Sequence, residues 1–261
     1  MNPWKNKEKL AEQAKIHTAQ MTKYNEQTNL TIENSKIYSS DSIIVPNIKQ
    51  PNCEIFVWDT DSVSAAFICR RNLDINPKKA AILNFASYKN PGGMFINGSF
   101  AQEEALCHAS NLYNILSAFN GYYEENKKNL NRGMYTNRAI YSPNVLFFDP
   151  EQSLRTPIPF DVLTCAAPNF SVARRYGRFT KGENSLALRL RIRFILSIMS
   201  ENQVDTTILG ALGCGVFAQD PYEVATIFKE ELQFIPIPKV VFAIPGGKNL
   251  EAFRKVFNNE N

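Results

Sequence analysis

Short, continuously apolar runs separated by helical stretches are the feature that most constrains how this chain can fold. The runs cover residues 43–45, 55–57, 80–85, 145–148, 162–167, 206–212 and 240–244. They are rich in Ile, Val, Leu and Phe, and runs this short without polar alternation suit strands covered on both faces. Between them, residues 103–119 place Leu106, Ala109, Tyr113 and Leu116 on one helical face, and residues 184–200 do the same with Leu188, Ile192, Ile195 and Met199. Asp220-Pro221-Tyr222-Glu223 offers an N-cap, a proline at the first helical position and a Glu three residues after the cap, so a helix starts there and runs through Phe228. Strands alternating with helices predict an α/β chain: a mixed, largely parallel sheet with helices on both sides, in three α/β/α layers. A ligand site in such a fold lies beyond the carboxyl ends of the central strands.

Residues 5–25 are rich in Lys, Glu, Gln and Ala with no Gly or Pro, and they read as an exposed or lightly packed helix ahead of the main domain. The expected division is a helical extension over residues 1–35 and one domain over 36–261, with residues 135–155 as a surface connection around a short strand. A chain of 261 residues can bury a sizeable core, and 44% hydrophobic with 21% charged residues argues against disorder. A formal charge of +4 neither demands a nucleic-acid partner nor excludes an anionic substrate. The five cysteines, at 53, 69, 107, 165 and 214, form no CxxC pair, so neither a zinc site nor a disulfide framework is expected, and a reducing compartment fits. The polar start Met-Asn-Pro-Trp-Lys-Asn-Lys-Glu-Lys and the lack of about 18 uninterrupted apolar residues predict a cytoplasmic protein without a membrane partner, export without a cleaved signal staying open.

The segment with chemical content follows the run at 80–85. It reads Asn84-Phe85-Ala86-Ser87-Tyr88-Lys89-Asn90-Pro91-Gly92-Gly93-Met94, then seven residues, then Gln102-Glu103-Glu104. A glycine pair after a strand lets backbone approach a ligand, and its N–H groups can cradle a phosphate. Two acids opening a helix are favoured by the helix dipole whether or not they do chemistry, so taken alone they have a plain structural reading.

The whole string resembles the hallmark of the microbial-type poly(ADP-ribose) glycohydrolases, which have macrodomain folds and usually read Gly-Gly-Gly, six to eight residues, Gln-Glu-Glu. The N-terminal helix, Asn137-Arg138-Ala139-Ile140-Tyr141-Ser142-Pro143, Ala166-Ala167-Pro168-Asn169 and Gly210-Ala211-Leu212-Gly213-Cys214-Gly215-Val216-Phe217 also look like family segments in family order. The resemblance implies a hydrolase of ADP-ribose linkages, needing no cofactor and no metal, with Glu104 as general acid and base. It implies that Glu103 holds ribose hydroxyls and that Gln102 supports the loop. Gly92, Gly93, Gly213, Cys214, Gly215, Val216 and Phe217 match the two loops that grip the diphosphate and distal ribose, and Asn84 borders the ligand. The implied partner is ADP-ribose, poly(ADP-ribose) or an ADP-ribosylated macromolecule, met by a monomer. Glycosidic cleavage needs a carboxyl of raised pKa on the leaving-group side. Two adjacent Glu residues on one turn do not naturally face each other across a bond, so one acid that doubles as base is expected, with the other Glu positioning the substrate. A non-catalytic ADP-ribose-binding macrodomain is the alternative, and a nucleotide phosphatase on the same fold is a third.

Met94 departs from the pattern by replacing the third glycine. If that position needs positive φ, methionine there costs roughly 1 kcal/mol or more in strain. Otherwise it points into the core and leaves the loop unchanged, or it alters substrate choice, or it leaves binding without catalysis. Among weaker signals, His17 and His108 have no metal-ligand spacing, and Cys107 and His108, adjacent on a helix, diverge by about 100°. Cys214 reads as a small packing residue. Arg174, Arg175, Arg178 and Lys181 beside Tyr176 read first as a solvated charged loop and second as a feature that steers a polyanion.

Overall fold

Among the described residues, seven strands form one sheet in the order β1-β4-β5-β3-β6-β7-β2. They are β1 (Lys36–Ser39), β2 (Glu54–Trp58), β3 (Ala80–Phe85), β4 (Arg138–Phe147), β5 (Ile158–Cys165), β6 (Thr206–Leu209) and β7 (Lys239–Ala243). The computed structural model describes residues 3–39, 53–72, 75, 77–149, 156–176 and 179–257. Pairing is antiparallel for β1 with β4 and for β4 with β5, and parallel from β5 through β3, β6 and β7 to β2. The sheet is therefore mixed and largely parallel, as the alternating runs predict.

Both faces are apolar, which explains why the strands read as unbroken runs. On β3, Ala81 and Leu83 enter one core while Ala80 and Ile82 enter the other; on β7, Val240 and Phe242 oppose Val241 and Ala243. The first face is covered by α8 (Lys181–Glu201), α9 (Pro221–Glu231) and α10 (Gly247–Phe257) through Leu188, Ile192, Phe228 and Phe253. The second is covered by α3 (Ser62–Arg71), α4 (Gln102–His108), α5 (Leu112–Leu116) and α6 (Asn120–Lys128) through Phe67, Leu106, Leu116 and Tyr123. The short α7 (Phe170–Arg175) follows β5.

Several boundaries differ from expectation, each for a local reason. The 103–119 segment is two helices, because residues 109–111 pair with β4 instead of continuing the turn. Phe148 N–H donates to Ala109 O at 2.8 Å, Asn111 N–H to Leu146 O at 3.2 Å, and Asn111 Oδ1 accepts from Leu146 N–H at 2.9 Å. Residues 138–147 are not a connection but a ten-residue, mostly buried strand. Pro143 and Asn144 disguise it: the register shifts between Ser142 and Val145, and Asn144 has φ 56°, so a bulge houses the residues that break the strand pattern. β1 is too short and too exposed to stand out, and the 43–45 run lies outside the described residues. α8 starts three residues before the expected one, where Thr180 and Glu183 form a capping box. Asp220 caps α9 as expected, accepting from Glu223 N–H at 3.0 Å.

The N-terminal segment is two helices, α1 (Pro3–Met21) and α2 (Asn25–Asn34), joined by a 3-10 turn. Most of its surface is exposed, but Ala14 is fully buried in the second core and His17 Nε2 lies 2.8 Å from Ser110 O. Asn111 Nδ2 donates to Thr28 Oγ1 at 2.9 Å, tying α2 to the α4–α5 break. Gly98 approaches Lys7 O so closely that a Cβ would stand 2.0 Å from it. The extension thus braces the outer side of the glycine loop. No helix among the described residues is long and apolar enough to cross a membrane.

Candidate active site

Beyond the carboxyl ends of β3 and β6 lies a cleft of about 540 Å³. One wall is the segment from Phe85 to Glu104, and the other is the turn after β6, with Gly213, Gly215, Val216 and Phe217. The start of α4 is stapled to β3 by Gln102: its Oε1 accepts from Phe85 N–H at 2.9 Å, and its Nε2 donates to Leu83 O at 2.8 Å and Ser62 Oγ at 3.1 Å. These bonds tie the first turn of α4 to the end of β3 and to Ser62. They also fix the direction in which the next two side chains leave the helix.

Both carboxylates are nearly buried, Glu103 at 3% and Glu104 at 6% exposure, and both line the cleft. Glu103 accepts from Ser87 N–H at 2.6 Å and from Asn84 Nδ2 at 3.2 Å. Burial pushes its carboxyl up to about 8, against the hydrogen bonds from Ser87 and Asn84, and the Glu104 charge adds to the rise. Glu104 accepts from Met94 N–H at 2.9 Å through one oxygen and from Ala101 N–H at 3.0 Å through the other. It is half of a capping box, reaching back to a helix start that the Ala101 side chain cannot cap. Each carboxylate oxygen keeps a lone pair beyond the one its backbone donor uses.

Gly93 explains the geometry of the pair. Its φ is +63°, and a Cβ placed there would stand 2.6 Å from Glu104 Oε1 and 2.9 Å from Glu103 Oε2. The two oxygens therefore flank one missing methyl group. Their gap is smaller than the roughly 6.5–9.5 Å that admits an attacking water between two carboxyl groups. Gly92, also at φ +63°, would aim a Cβ the other way, at the Tyr113 ring and Cys107 Sγ, while its backbone bonds Glu103.

Met94 does not occupy a strained position. Its φ is −114°, which any L residue adopts, so the expected penalty is absent. Nor does it point into the core: it is 43% exposed and lines the cleft. Its N–H holds Glu104, a contact that the glycine it replaces could make equally well.

Of the other expected residues, Gly213, Gly215, Val216 and Phe217 reach the cleft. Gly213, at φ +75°, packs between Gln219 and Ala167, and Gln219 Nε2 donates to Pro168 O at 2.8 Å, binding this turn to the end of β5. The Cys214 side chain does not line the cleft; it packs in the first core, where burial pushes its thiol up to about 12. Asn84 is fully buried beneath Glu103 and positions that carboxyl instead of bordering the cleft. Cys107 is fully buried, and burial raises its thiol well above the usual range.

Sequence reasoning missed an aromatic wall. Tyr88 and Tyr135 stack with centroids 4.1 Å apart and 10° between planes, and Phe217 meets Tyr135 edge-on at 6.2 Å. Tyr135 takes φ 59°, an uncommon conformation for an aromatic residue. Only tertiary packing brings positions 88, 135 and 217 together. A second chamber of about 380 Å³ shares Phe85, Ala101, Gln102 and Ala211 with the cleft and continues past Phe100 toward Pro245 and Asn249.

This sheet order, with paired carboxylates opening a helix against a glycine turn at the strand ends, defines a macrodomain-like glycoside hydrolase. A family model described as the catalytic domain of microbial-type PARG matches residues 5–149, more than half of the chain. The chain belongs to that family. Comparison with curated proteins returns no match. Among solved structures, poly(ADP-ribose) glycohydrolase from Thermomonospora curvata is 26% identical over 96% of this chain and 100% of its own, with a TM-score of 0.82. The same enzyme bound to the inhibitor ADP-HPD gives 27%, 96%, 100% and 0.81. The Deinococcus radiodurans enzyme in complex with ADP-ribose is 30% identical over 90% of this chain and 98% of its own, with a TM-score of 0.78. The family model ends before the Gly213–Phe217 turn.

Proposed function

We propose that this hydrolase cleaves the ribosyl O-glycosidic bond of poly(ADP-ribose) or of mono-ADP-ribosylated targets, with Glu104 as general acid and then base. The observation that carries the reading is Gly93, held at positive φ between two nearly buried carboxylates that line one cleft with Phe217. The two chambers that meet at Gln102 and Ala211 suit a ligand with a base at one end, a reacting ribose at the other and a diphosphate between. In this arrangement the Glu104 carboxyl protonates the departing oxygen as an oxocarbenium-like ribose forms. It then takes a proton from the attacking water. Glu103, pinned by Ser87 and Asn84, receives ribose hydroxyls, and Phe217 packs on the sugar.

The test compares the wild type with Glu104→Gln on poly(ADP-ribose) and on a mono-ADP-ribosylated peptide. Release of ADP-ribose by the wild type and its loss by about 10³-fold in the variant are expected. Equal activity of the two proteins would remove Glu104 from the chemistry. Tight binding of ADP-ribose without any release would favour the alternative, a reader of ADP-ribose, which the Met94 side chain in the cleft supports.

A further inference from the structure

The charged loop at 174–181 is exposed at Arg174, Arg175 and Lys181, with Arg178 outside the described residues, so its charge meets water. Another arginine has no such outlet. Arg191, on α8, is 1% exposed, and every acceptor it bonds is neutral. Its Nε donates to Asn137 Oδ1 at 2.7 Å, one Nη to Thr136 O at 2.9 Å and the other Nη to Ala166 O. Among the described residues, no carboxylate lies within ion-pair distance of it. Tyr122, Tyr135 and Cys165 feel its charge, but burial pushes all three up, so each stays neutral and none is a counter-charge. Arg138, whose guanidinium lies 5.3 Å from the Tyr122 ring, adds positive charge to the same region. Taking a guanidinium out of water is costly, and neutral carbonyls offset only part of that cost.

The buried charge stands directly behind one wall of the cleft. Thr136 follows Tyr135 in the chain and Ala166 precedes Ala167, and both Tyr135 and Ala167 line the cleft. Ala167 backs the glycine turn after β6, since a Cβ on Gly213 would stand 2.9 Å from Ala167 Cβ. Thr136 holds the aromatic wall: its N–H donates to Tyr88 Oη at 3.3 Å, and its Oγ1 lies 2.7 Å from the same oxygen. The two acids of the cleft, Glu103 and Glu104, belong to the other wall.

We propose that Arg191 is a positioning residue for anion binding: its unneutralised charge behind the Ala167 and Gly213 wall attracts a diphosphate seated there, and the diphosphate is the counter-charge that the protein itself lacks. The proposal rests on the cleft holding ADP-ribose. No direct contact is needed, because a charge acts over several ångströms where water is excluded. The bonds to Thr136, Asn137 and Ala166 fix the guanidinium before the ligand arrives, so binding costs no reorganisation of it. A staple that only joined β4 to β5 would have no use for a charge without a partner.

The test gives Arg191 a counter-charge without removing it. Asn137→Asp keeps the shape of the side chain and the oxygen that accepts from Arg191 Nε, and it lies outside the catalytic machinery. Calorimetric titration with ADP-ribose should show a Kd about tenfold higher than the wild type, although Tm is unchanged or raised. In hydrolysis KM should rise by the same factor with kcat within about threefold, because the diphosphate is held alike in ground and transition states. Arg191→Lys, which keeps the charge and loses the planar fork, should bind within about threefold of wild type. Asn137→Asp binding ADP-ribose as tightly as the wild type, with Arg191→Lys binding tenfold or so more weakly, would make Arg191 a structural staple and overturn the proposal. If the wild type binds no ADP-ribose, the reading of the cleft fails by itself. Inorganic pyrophosphate then takes its place as the probe: tighter binding by wild type than by Asn137→Asp supports the role of Arg191, and equal or absent binding refutes it.

Discussion

Replacing Gly93 with alanine tests the central geometry directly. The new Cβ would stand 2.6 Å from Glu104 Oε1 and 2.9 Å from Glu103 Oε2, where ordinary contact begins at 3.4 Å. The oxygens must therefore retreat by about 0.8 Å and about 0.5 Å, unless the backbone moves instead. Retreat stretches the bonds from Met94 N–H and Ser87 N–H, and a weakened buried hydrogen bond to a charged or partly charged group costs about 1–3 kcal/mol. Holding an L residue at φ +63° adds about 1–2 kcal/mol. A total of about 2–5 kcal/mol should lower Tm by roughly 4–20 °C in a chain of this size. Displacing both carboxylates by a substantial fraction of an ångström should lower kcat by about 10²-fold. The assay is ADP-ribose release at saturating substrate, alongside thermal unfolding. Gly121→Ala is the control: it lies in α6, exposed, with nothing within 4 Å of its added methyl, and should raise stability slightly. Gly93→Ala with kcat within about threefold of wild type would show that the carboxylate positions do not matter to turnover.

Other variants probe separate links in the argument. Because burial raises the Glu103 carboxyl to about 8 from 4.5, the folded chain keeps a proton that the unfolded chain releases, so stability falls as pH rises through that window. The slope is at most about 1.4 kcal/mol per pH unit, and the always neutral Glu103→Gln should lack it. Thermal unfolding of both proteins between about pH 5 and pH 8 checks this, since the Tm of the wild type should drop relative to the variant; parallel curves would mean that Glu103 is ionised throughout. Met94→Gly removes a side chain that lines the cleft from a residue at φ −114°. It should cost about 1 kcal/mol of stability or less while changing the polymer-to-peptide ratio of kcat/KM, and an unchanged ratio would assign Met94 no part in substrate choice.

Much of the fold can be read directly from the residues. The apolar runs at 55–57, 80–85 and 240–244 became β2, β3 and β7 because burial on both faces leaves no polar alternation to hide them. Asp220-Pro221 starts α9 because a cap acts within one turn. Where the reading failed, a distant partner had overruled local preference. Ser110 and Asn111 break a helix whose pattern continues, because β4 offers their neighbourhood better hydrogen bonds than another helical turn would. Pro143 sits inside a strand because a bulge makes room for it.

The site divides in the same way. Composition and order along the chain determined that Gln102, Glu103 and Glu104 open a helix after a glycine turn, since that motif is local and its spacing is visible. Tertiary structure alone decided that burial pushes the Glu103 carboxyl up, that Met94 faces the cleft without strain, and that Tyr88, Tyr135 and Phe217 form one wall. A carboxyl titrates high when distant residues exclude water from it, and rings stack when strands far apart in sequence end side by side. Both depend on contacts that exist only once the chain has closed on itself.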